Sequence, residues 1–105
     1  MTDTQLRHPP VDELELAAVL HALSDPIRLS IVSELSEHGA CNCGTFAVPV
    51  AKSTLSHHLR VLREAGLTLT EPHGTQRVVS LRRDDVDGRF PGLLDAVLSA
   101  STVAA

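Results

Sequence analysis

The 105-residue sequence is poor in aromatic side chains, since it has no tryptophan, no tyrosine and two phenylalanines. Proteins that bind RNA or single-stranded DNA stack bases on aromatic rings, so this composition argues against that class of partner. The sequence also lacks a glycine-rich phosphate loop, a Gly-x-Ser-x-Gly elbow and a His-Glu-x-x-His metal motif. It therefore predicts a protein that is not an enzyme.

Long apolar runs and numerous cysteines are missing as well. No run approaches the roughly 20 residues that span a bilayer, and no basic segment followed by an apolar stretch opens the chain. These features predict a cytoplasmic protein that does not contact a membrane. The two cysteines, Cys41 and Cys43, are separated by one residue. A disulfide across that spacing would be strained, so a structural disulfide is not expected.

The charges are unevenly distributed along the chain. The formal net charge is −4, which is unfavourable for a protein that binds polyanionic DNA. However, the segment Lys52 to Arg83 holds six cations and two anions, a local net charge of +4, whereas residues 1–51 carry −5 and residues 84–105 carry −3. One electropositive segment within an acidic protein favours a nucleic-acid surface, and a charged face that contacts only solvent is the alternative.

The length allows one domain with a small core, which a partner subunit can complete. Pro9 and Pro10 end a polar start, so residues 1–10 are predicted to form a flexible arm. Residues 11–99 are predicted to form the DNA-binding and dimerisation domain, and residues 100–105 a tail.

Apolar residues at three- and four-residue spacing predict a helix from Val11 to Leu23 with an unusually broad apolar face. Asp25 and Pro26 then suit the start of a second helix, which Gly39 ends. Ala40 to Val50 has no clear period and accommodates at most a short helical turn.

The second half of the sequence has a clear helix followed by alternating segments. The predicted elements are a helix from Lys52 to Ala65, strands Leu67–Thr70 and Arg77–Leu81 with a turn at Pro72–Gly74, a turn over Arg82–Asp87, and a last helix from Pro91 to about Ser99. The predicted fold class is mainly α with a small β-hairpin wing, that is, a winged helix-turn-helix.

In this architecture the helix Lys52–Ala65 lies in the major groove of double-stranded DNA and the hairpin reaches along the backbone. Short polar side chains suit contacts to base edges, and cations suit phosphates. The predicted base contacts are Ser53, Thr54, Ser56 and His57, and the predicted phosphate contacts are Lys52, Arg60 and Arg77.

Two blocks resemble the ArsR/SmtB family of winged-helix repressors. Leu20–Leu29, with its Leu-Ser-Asp-Pro-Ile-Arg run, is similar to the family's opening motif, and Lys52–Leu67, with Ser-His-His-Leu and Leu-Arg-Glu-Ala-Gly-Leu, is similar to its recognition helix. The resemblance covers about residues 11–99. It implies a transcriptional regulator, most often a repressor, that dimerises through its first and last helices and binds an inverted-repeat operator.

The resemblance also raises the question of a metal site, because one of the family's sites uses a Cys-x-Cys near the third helix. Cys41 and Cys43 match that pattern, and thiolates suit zinc, nickel or arsenite. His38, His57 or the partner's His8 are candidates for a further ligand. The family's other site looks absent, since the last helix has no histidine.

Two other accounts of the cysteines stay open: buried structural thiols and a redox switch. The alternative function is a regulator without a metal site that acts through a protein partner or a small-molecule effector.

Overall fold

The computed structural model describes residues 7–42, 46 and 48–104 of the chain. The elements are a 3-10 turn Val11–Glu13, α1 Leu16–Leu23, α2 Pro26–His38, β1 Cys41–Asn42, α3 Lys52–Ala65, β2 Thr68–His73, β3 Gln76–Leu81, α4 Arg83–Arg89 and α5 Leu93–Ala104. The strands form one antiparallel sheet in the order β1-β3-β2. The predicted fold class, mainly α with a β-hairpin wing, is confirmed.

The prediction of one continuous helix from Val11 to Leu23 is wrong. A 3-10 turn ends at Glu13, the backbone of Leu14 is extended, and α1 begins at Leu16. The extended backbone lets Leu14 enter the core, where it is 1 % exposed. The carbonyl oxygen of Leu14 accepts a hydrogen bond from Nε of Arg89 at 3.0 Å, so a long-range contact holds the break in place.

Helix α2 begins as its sequence predicts. Oδ2 of Asp25 accepts hydrogen bonds from the backbone N–H groups of Ile27 at 2.9 Å and Arg28 at 3.1 Å, and Pro26 occupies the first turn. These bonds satisfy N–H groups that have no partner within the helix. The helix ends before Gly39, whose φ of 81° and ψ of −161° lie outside the left-handed helical region.

The segment after α2 contains a strand where at most a helical turn was expected. Cys41 pairs with Val79 and Asn42 with Val78, so β1 extends the wing to three strands. Its partners lie more than 30 residues further along the chain, which explains why local periodicity did not indicate a strand.

The hairpin turn is also displaced from its predicted position at Pro72–Gly74. Strand β2 continues to His73, which pairs with Gln76, and Gly74 with Thr75 forms a two-residue turn. Gly74 has a φ of 65°, a conformation that such tight turns require and glycine adopts readily. Pro72 is accommodated because β2 is an edge strand.

After the wing, the chain is more helical than predicted. Residues 83–89 form α4 rather than a turn, and α5 extends to Ala104. Asp84 and Asp85 lie in the first turn of α4, where the helix dipole favours acidic groups. Nε of Arg82 also donates to Oδ2 of Asp85 at 3.0 Å, which fixes that turn.

The core draws on all five helices and the sheet. Its largest fully buried apolar side chains are Leu14, Val19, Ile31, Val32, Leu62, Leu67, Val79, Val86 and Leu94. Of the described helices, none alone has the length and hydropathy needed to cross a bilayer; α1 and α2 meet that requirement only as a pair bent by 99°.

Residues 1–6 of the predicted flexible arm lie outside the described residues. In the described part, the backbone N–H of Thr70 donates to Nε2 of His8 at 3.0 Å, and Nη1 of Arg82 donates to the carbonyl oxygen of Pro9 at 2.8 Å. The first bond ties the start of the chain to the outer edge of β2, and the second ties it to the residue that follows β3.

The contact of His8 predicts a pH dependence of stability. Burial lowers the pKa of His8 below its ordinary value of 6.5, as do the charges of Arg63 and Arg82, while Glu71 opposes them. Because the unfolded chain takes up the proton first, this contribution to stability is present above pH 6.5 and is lost as the pH falls from 6.5 to the folded-state pKa.

We expect the urea midpoint of wild-type protein to fall between pH 7 and pH 5, and His8→Gln to reduce this fall. The two pH values lie about half a unit above and about one and a half units below an ordinary histidine pKa. His73→Gln, which changes an exposed histidine of the wing, is the matched control. An unchanged pH dependence in the His8 variant would contradict the prediction.

Candidate nucleic-acid interface

Helix α3 has two faces of opposite character. Its buried face comprises His58, Leu59, Leu62 and Ala65. The opposite face carries the six predicted DNA contacts on this helix, and all six side chains are exposed: Lys52, Ser53, Thr54, Ser56, His57 and Arg60. The burial of one face fixes the helix on the domain, and the other face is available to a groove of DNA.

The first turn of α3 is open to a ligand. Ala51 precedes it and makes no side-chain hydrogen bond to the free N–H groups of the turn. Such N–H groups and the positive end of the helix dipole favour a phosphate. Lys52 is exposed at the same end of the helix, so this end suits the DNA backbone.

The wing supplies the seventh predicted contact. Arg77 is exposed on β3 and pairs with Pro72 of β2. Beside it, Nδ2 of Asn42 donates a hydrogen bond to Oε1 of Gln76, which joins β1 to the tip of the hairpin. The tip of the hairpin is therefore supported by β1 on the side opposite to β2.

The structure divides the six cations of the electropositive segment into two groups. Lys52, Arg60 and Arg77 are exposed, and these are the three residues predicted to contact phosphates. The exposed positive charges of the segment therefore lie on α3 and on the wing.

Two of the other three cations have structural contacts. Arg82 is buried and bound to the carbonyl of Pro9, and Nη1 of Arg83 is 3.1 Å from Oδ1 of Asp95. The third cation, Arg63, is half-buried. Its Nε is buried without a hydrogen-bond partner in the described part of the chain. The count of six cations from the sequence therefore overstated the number of cations that can face DNA.

The two adjacent histidines of α3 have different environments, because neighbouring residues on a helix point about 100° apart. His57 is exposed, and His58 is 8 % exposed. Nδ1 of His58 is 3.1 Å from Nη1 of the buried Arg28 and 3.9 Å from Oδ2 of Asp25. The pKa of Asp25 is lowered, chiefly by the backbone hydrogen bond from Arg28, while burial acts in the opposite direction. The sequence analysis did not predict this buried contact between Arg28 and His58.

The predicted metal ligands are only partly visible. Cys41 is a free, half-buried thiol that donates to the carbonyl oxygen of Gly39 at 3.4 Å, and Cys43 lies outside the described residues. Within residues 7–42, 46 and 48–104, no three His, Cys, Asp or Glu side chains are grouped closely enough to hold a metal ion. The described residues alone do not form a metal site.

A cleft of about 290 Å³ opens beside the first turns of α3. Its lining is mainly apolar, with a lysine and a serine among the lining residues: Phe46, Val48, Val50, Lys52, Leu55, Ser56 and Leu59. Because Lys52 and Ser56 are also predicted DNA contacts, a molecule in this cleft would lie next to the DNA-facing surface.

Helix α3 and the hairpin β2–β3 define a winged helix-turn-helix DNA-binding protein. A Helix-turn-helix domain family matches residues 23–71, which span α2, α3 and part of β2. An HTH-type transcriptional regulator of Bacillus subtilis, YceK, is 37 % identical over 89 residues, covering 82 % of this chain and 89 % of that protein.

Two further proteins specify the family. An arsenical resistance operon repressor of Staphylococcus xylosus is 34 % identical and covers 70 % of this chain and 71 % of its own. The crystal structure of the transcriptional repressor BigR from Xylella fastidiosa is 30 % identical with a TM-score of 0.64, covering 81 % of this chain and 84 % of that one. The chain belongs to the ArsR/SmtB family, and it is a DNA-binding transcriptional regulator of that type.

Proposed function

We propose that the protein acts in the cytoplasm as a homodimer that binds an inverted-repeat operator in duplex DNA. Each subunit places α3 in the major groove, and its wing contacts the adjacent backbone. The observation that carries the proposal is the exposed polar face of α3 opposite its buried face. Since each subunit contributes one such helix, half-sites are expected about 34 Å apart, one turn of the duplex.

The exposed contacts are expected to separate into two kinds. Arg60→Ala should weaken binding to operator and scrambled duplexes by a similar factor and reduce the slope of log K against log salt by about 0.9, because one phosphate contact is lost. Ser56→Ala should weaken operator binding by roughly five- to 160-fold while changing the affinity for scrambled DNA little, because a base contact carries about 1–3 kcal/mol. Fluorescence anisotropy with duplexes from upstream of the gene that encodes this chain measures the affinities of both variants and their salt dependence.

Arg83→Ala is the matched control, because it removes the same charge from a cation that is already paired with Asp95. It should leave the salt slope unchanged. If Ser56→Ala weakens both duplexes equally, Ser56 contacts the backbone rather than a base. If wild-type protein shows no preference for any upstream duplex, the proposed operator recognition is wrong.

A response to a metal or metalloid is a second proposal. It is supported by the name of the Staphylococcus xylosus relative and by the soft thiolates of Cys41 and Cys43, which suit arsenite, zinc or nickel. Each ion is added to the operator complex of wild type and of the Cys41→Ser, Cys43→Ser double variant. Release from wild type alone supports the proposal. No release from either favours a protein partner or a small-molecule effector, for which the cleft beside α3 is the candidate site.

A further inference from the structure

The guanidinium of Arg28 joins three helices beneath the DNA-facing surface. Arg28 lies in the first turn of α2 and is 7 % exposed. Its Nε donates to the carbonyl oxygen of Ala22 at 2.7 Å, and its Nη2 donates to that of His21 at 3.3 Å. Both carbonyls belong to the last turn of α1, where helix carbonyls have no intrahelical partner and the dipole favours a cation. Arg28 is thereby fixed to the end of α1.

The third contact of Arg28 reaches the middle of α3. Nη1 of Arg28 is 3.1 Å from Nδ1 of His58. Arginine carries only donors, so Nδ1 of His58 accepts this bond and the ring hydrogen of neutral His58 is on Nε2. The next residue along α3, His57, is exposed on the predicted DNA-contacting face.

The carboxylate of Asp25 completes this group. Its Oδ2 is 3.9 Å from Nδ1 of His58 and accepts the two backbone bonds that begin α2. Three charged or titratable groups therefore face His58 from the packed elements: Asp25 in the α1–α2 turn, Arg28 on α2, and His57, whose ring centroid is 5.7 Å away on α3 itself. Hydrogen on Nδ1 would break the bond to Arg28 and favour Asp25 instead.

We propose that Arg28 is a positioning residue for DNA recognition. It is anchored to the last turn of α1 and donates a hydrogen bond to Nδ1 of His58, and this bond fixes the depth and the rotation of α3 relative to the rest of the domain. This inference rests on the proposed role of α3 in operator binding. Arg28 and His58 do not contact DNA; they set where Ser56 and His57 meet the bases. A small rotation of α3 would misplace base contacts more than phosphate contacts, because long basic side chains adjust and short polar ones do not.

Two substitutions of His58 test the acceptor. His58→Asn keeps an oxygen near the position of Nδ1, whereas His58→Leu keeps an apolar side chain of similar size without an acceptor. We expect the asparagine variant to retain the ratio of operator to scrambled-duplex affinity within about threefold, and the leucine variant to reduce it by about tenfold or more, the equivalent of roughly 1.4 kcal/mol. A purely structural role would lower stability and weaken both duplexes together.

The tautomer provides a readout that does not involve DNA. Nitrogen-15 spectra of the histidine rings at pH 7.5 should show that Nε2 of His58 carries the hydrogen and that Nδ1 accepts a hydrogen bond. In Arg28→Gln the same resonances should shift toward a mixture of tautomers; if that variant does not fold, the two His58 variants carry the test.

The inference is overturned if Nδ1 of His58 carries hydrogen in wild type, or if the leucine variant keeps the wild-type affinity ratio. It is also overturned if both variants weaken the two duplexes equally. Failure of the wild-type protein to prefer any operator is a different result, since it contradicts the proposed function while the tautomer still reports on the contact between Arg28 and His58.

Discussion

Replacing Gly66 with alanine is expected to lower the free energy of unfolding by about 2–5 kcal/mol, a large part of the stability of a small domain. Gly66 ends α3 in the left-handed conformation, with φ 90° and ψ 12°. A Cβ at this position would lie 2.0 Å from Cδ2 of Leu14. Leu14 is 1 % exposed and its carbonyl is bound by Arg89, so it has little room to move.

The two causes can be separated with a matched control. Gly92 has a similar φ of 80°, but a Cβ there would have no described atom within 4 Å. Gly92→Ala should therefore cost only the conformational part, about 1–2 kcal/mol. Denaturant unfolding measures both variants. A loss for Gly66→Ala no greater than that for Gly92→Ala would contradict the steric argument.

The contact with Leu14 also predicts non-additivity. Leu14→Ala alone should destabilise by about 2–5 kcal/mol, because it leaves a cavity in the core. In the Gly66→Ala background the same change should cost less, since it removes the clash. A double-mutant cycle measures this coupling.

The parts of the fold that sequence reasoning predicted are those with local signals. Asp25 and Pro26 start α2 through bonds within one turn, and α3 ends at Ala65 as predicted, before the left-handed Gly66. The period of α3 also separated its exposed face from its buried face. These features depend on residues close in sequence, and each has a distinct chemical requirement.

The parts that were missed depend on distant contacts. The extended backbone of Leu14 is explained by its contacts with Gly66 and Arg89, which are distant in sequence. Strand β1 forms only because it pairs with Val78 and Val79. The spacing of apolar residues cannot distinguish a continuous helix from a helix that is interrupted by one buried, extended residue.

The candidate site shows the same division. The exposed residues of α3 could be predicted from its amphipathic pattern, but the contact between Arg28 and His58 joins residues 30 positions apart. The available signal was a charged residue, Arg28, between the apolar Ile27 and Leu29 in the first turn of α2. A sequence alone does not say whether such a cation contacts solvent, DNA or a buried acceptor.

Replacing Leu20 with glutamate is expected to convert the protein to a monomer and to weaken binding to a full operator by about 100-fold or more. Leu16 and Leu20 are 47 % and 45 % exposed one turn apart on α1, and Val11 is 36 % exposed just before them. Large apolar side chains exposed on one face favour a protein interface. The resemblance to the ArsR/SmtB family predicts that this helix forms part of the proposed dimer interface.

The size of the effect follows from linkage of the two half-sites. In a dimer the second α3 binds at a high effective concentration, which raises the affinity by a factor of roughly 10²–10⁴. A monomer loses that factor but keeps its own contacts, so binding to a single half-site should change little. Sedimentation gives the oligomeric state, and anisotropy with full and half operators gives the two affinities.

Ala40→Glu adds the same charge at an exposed residue of the α2–β1 connection and is the matched control. It should leave both the dimer and operator affinity intact. If Leu20→Glu remains dimeric, the exposed face of α1 is not the interface. If it becomes monomeric but keeps full operator affinity, dimerisation and DNA binding are independent in this protein, because one subunit would then account for the whole binding free energy.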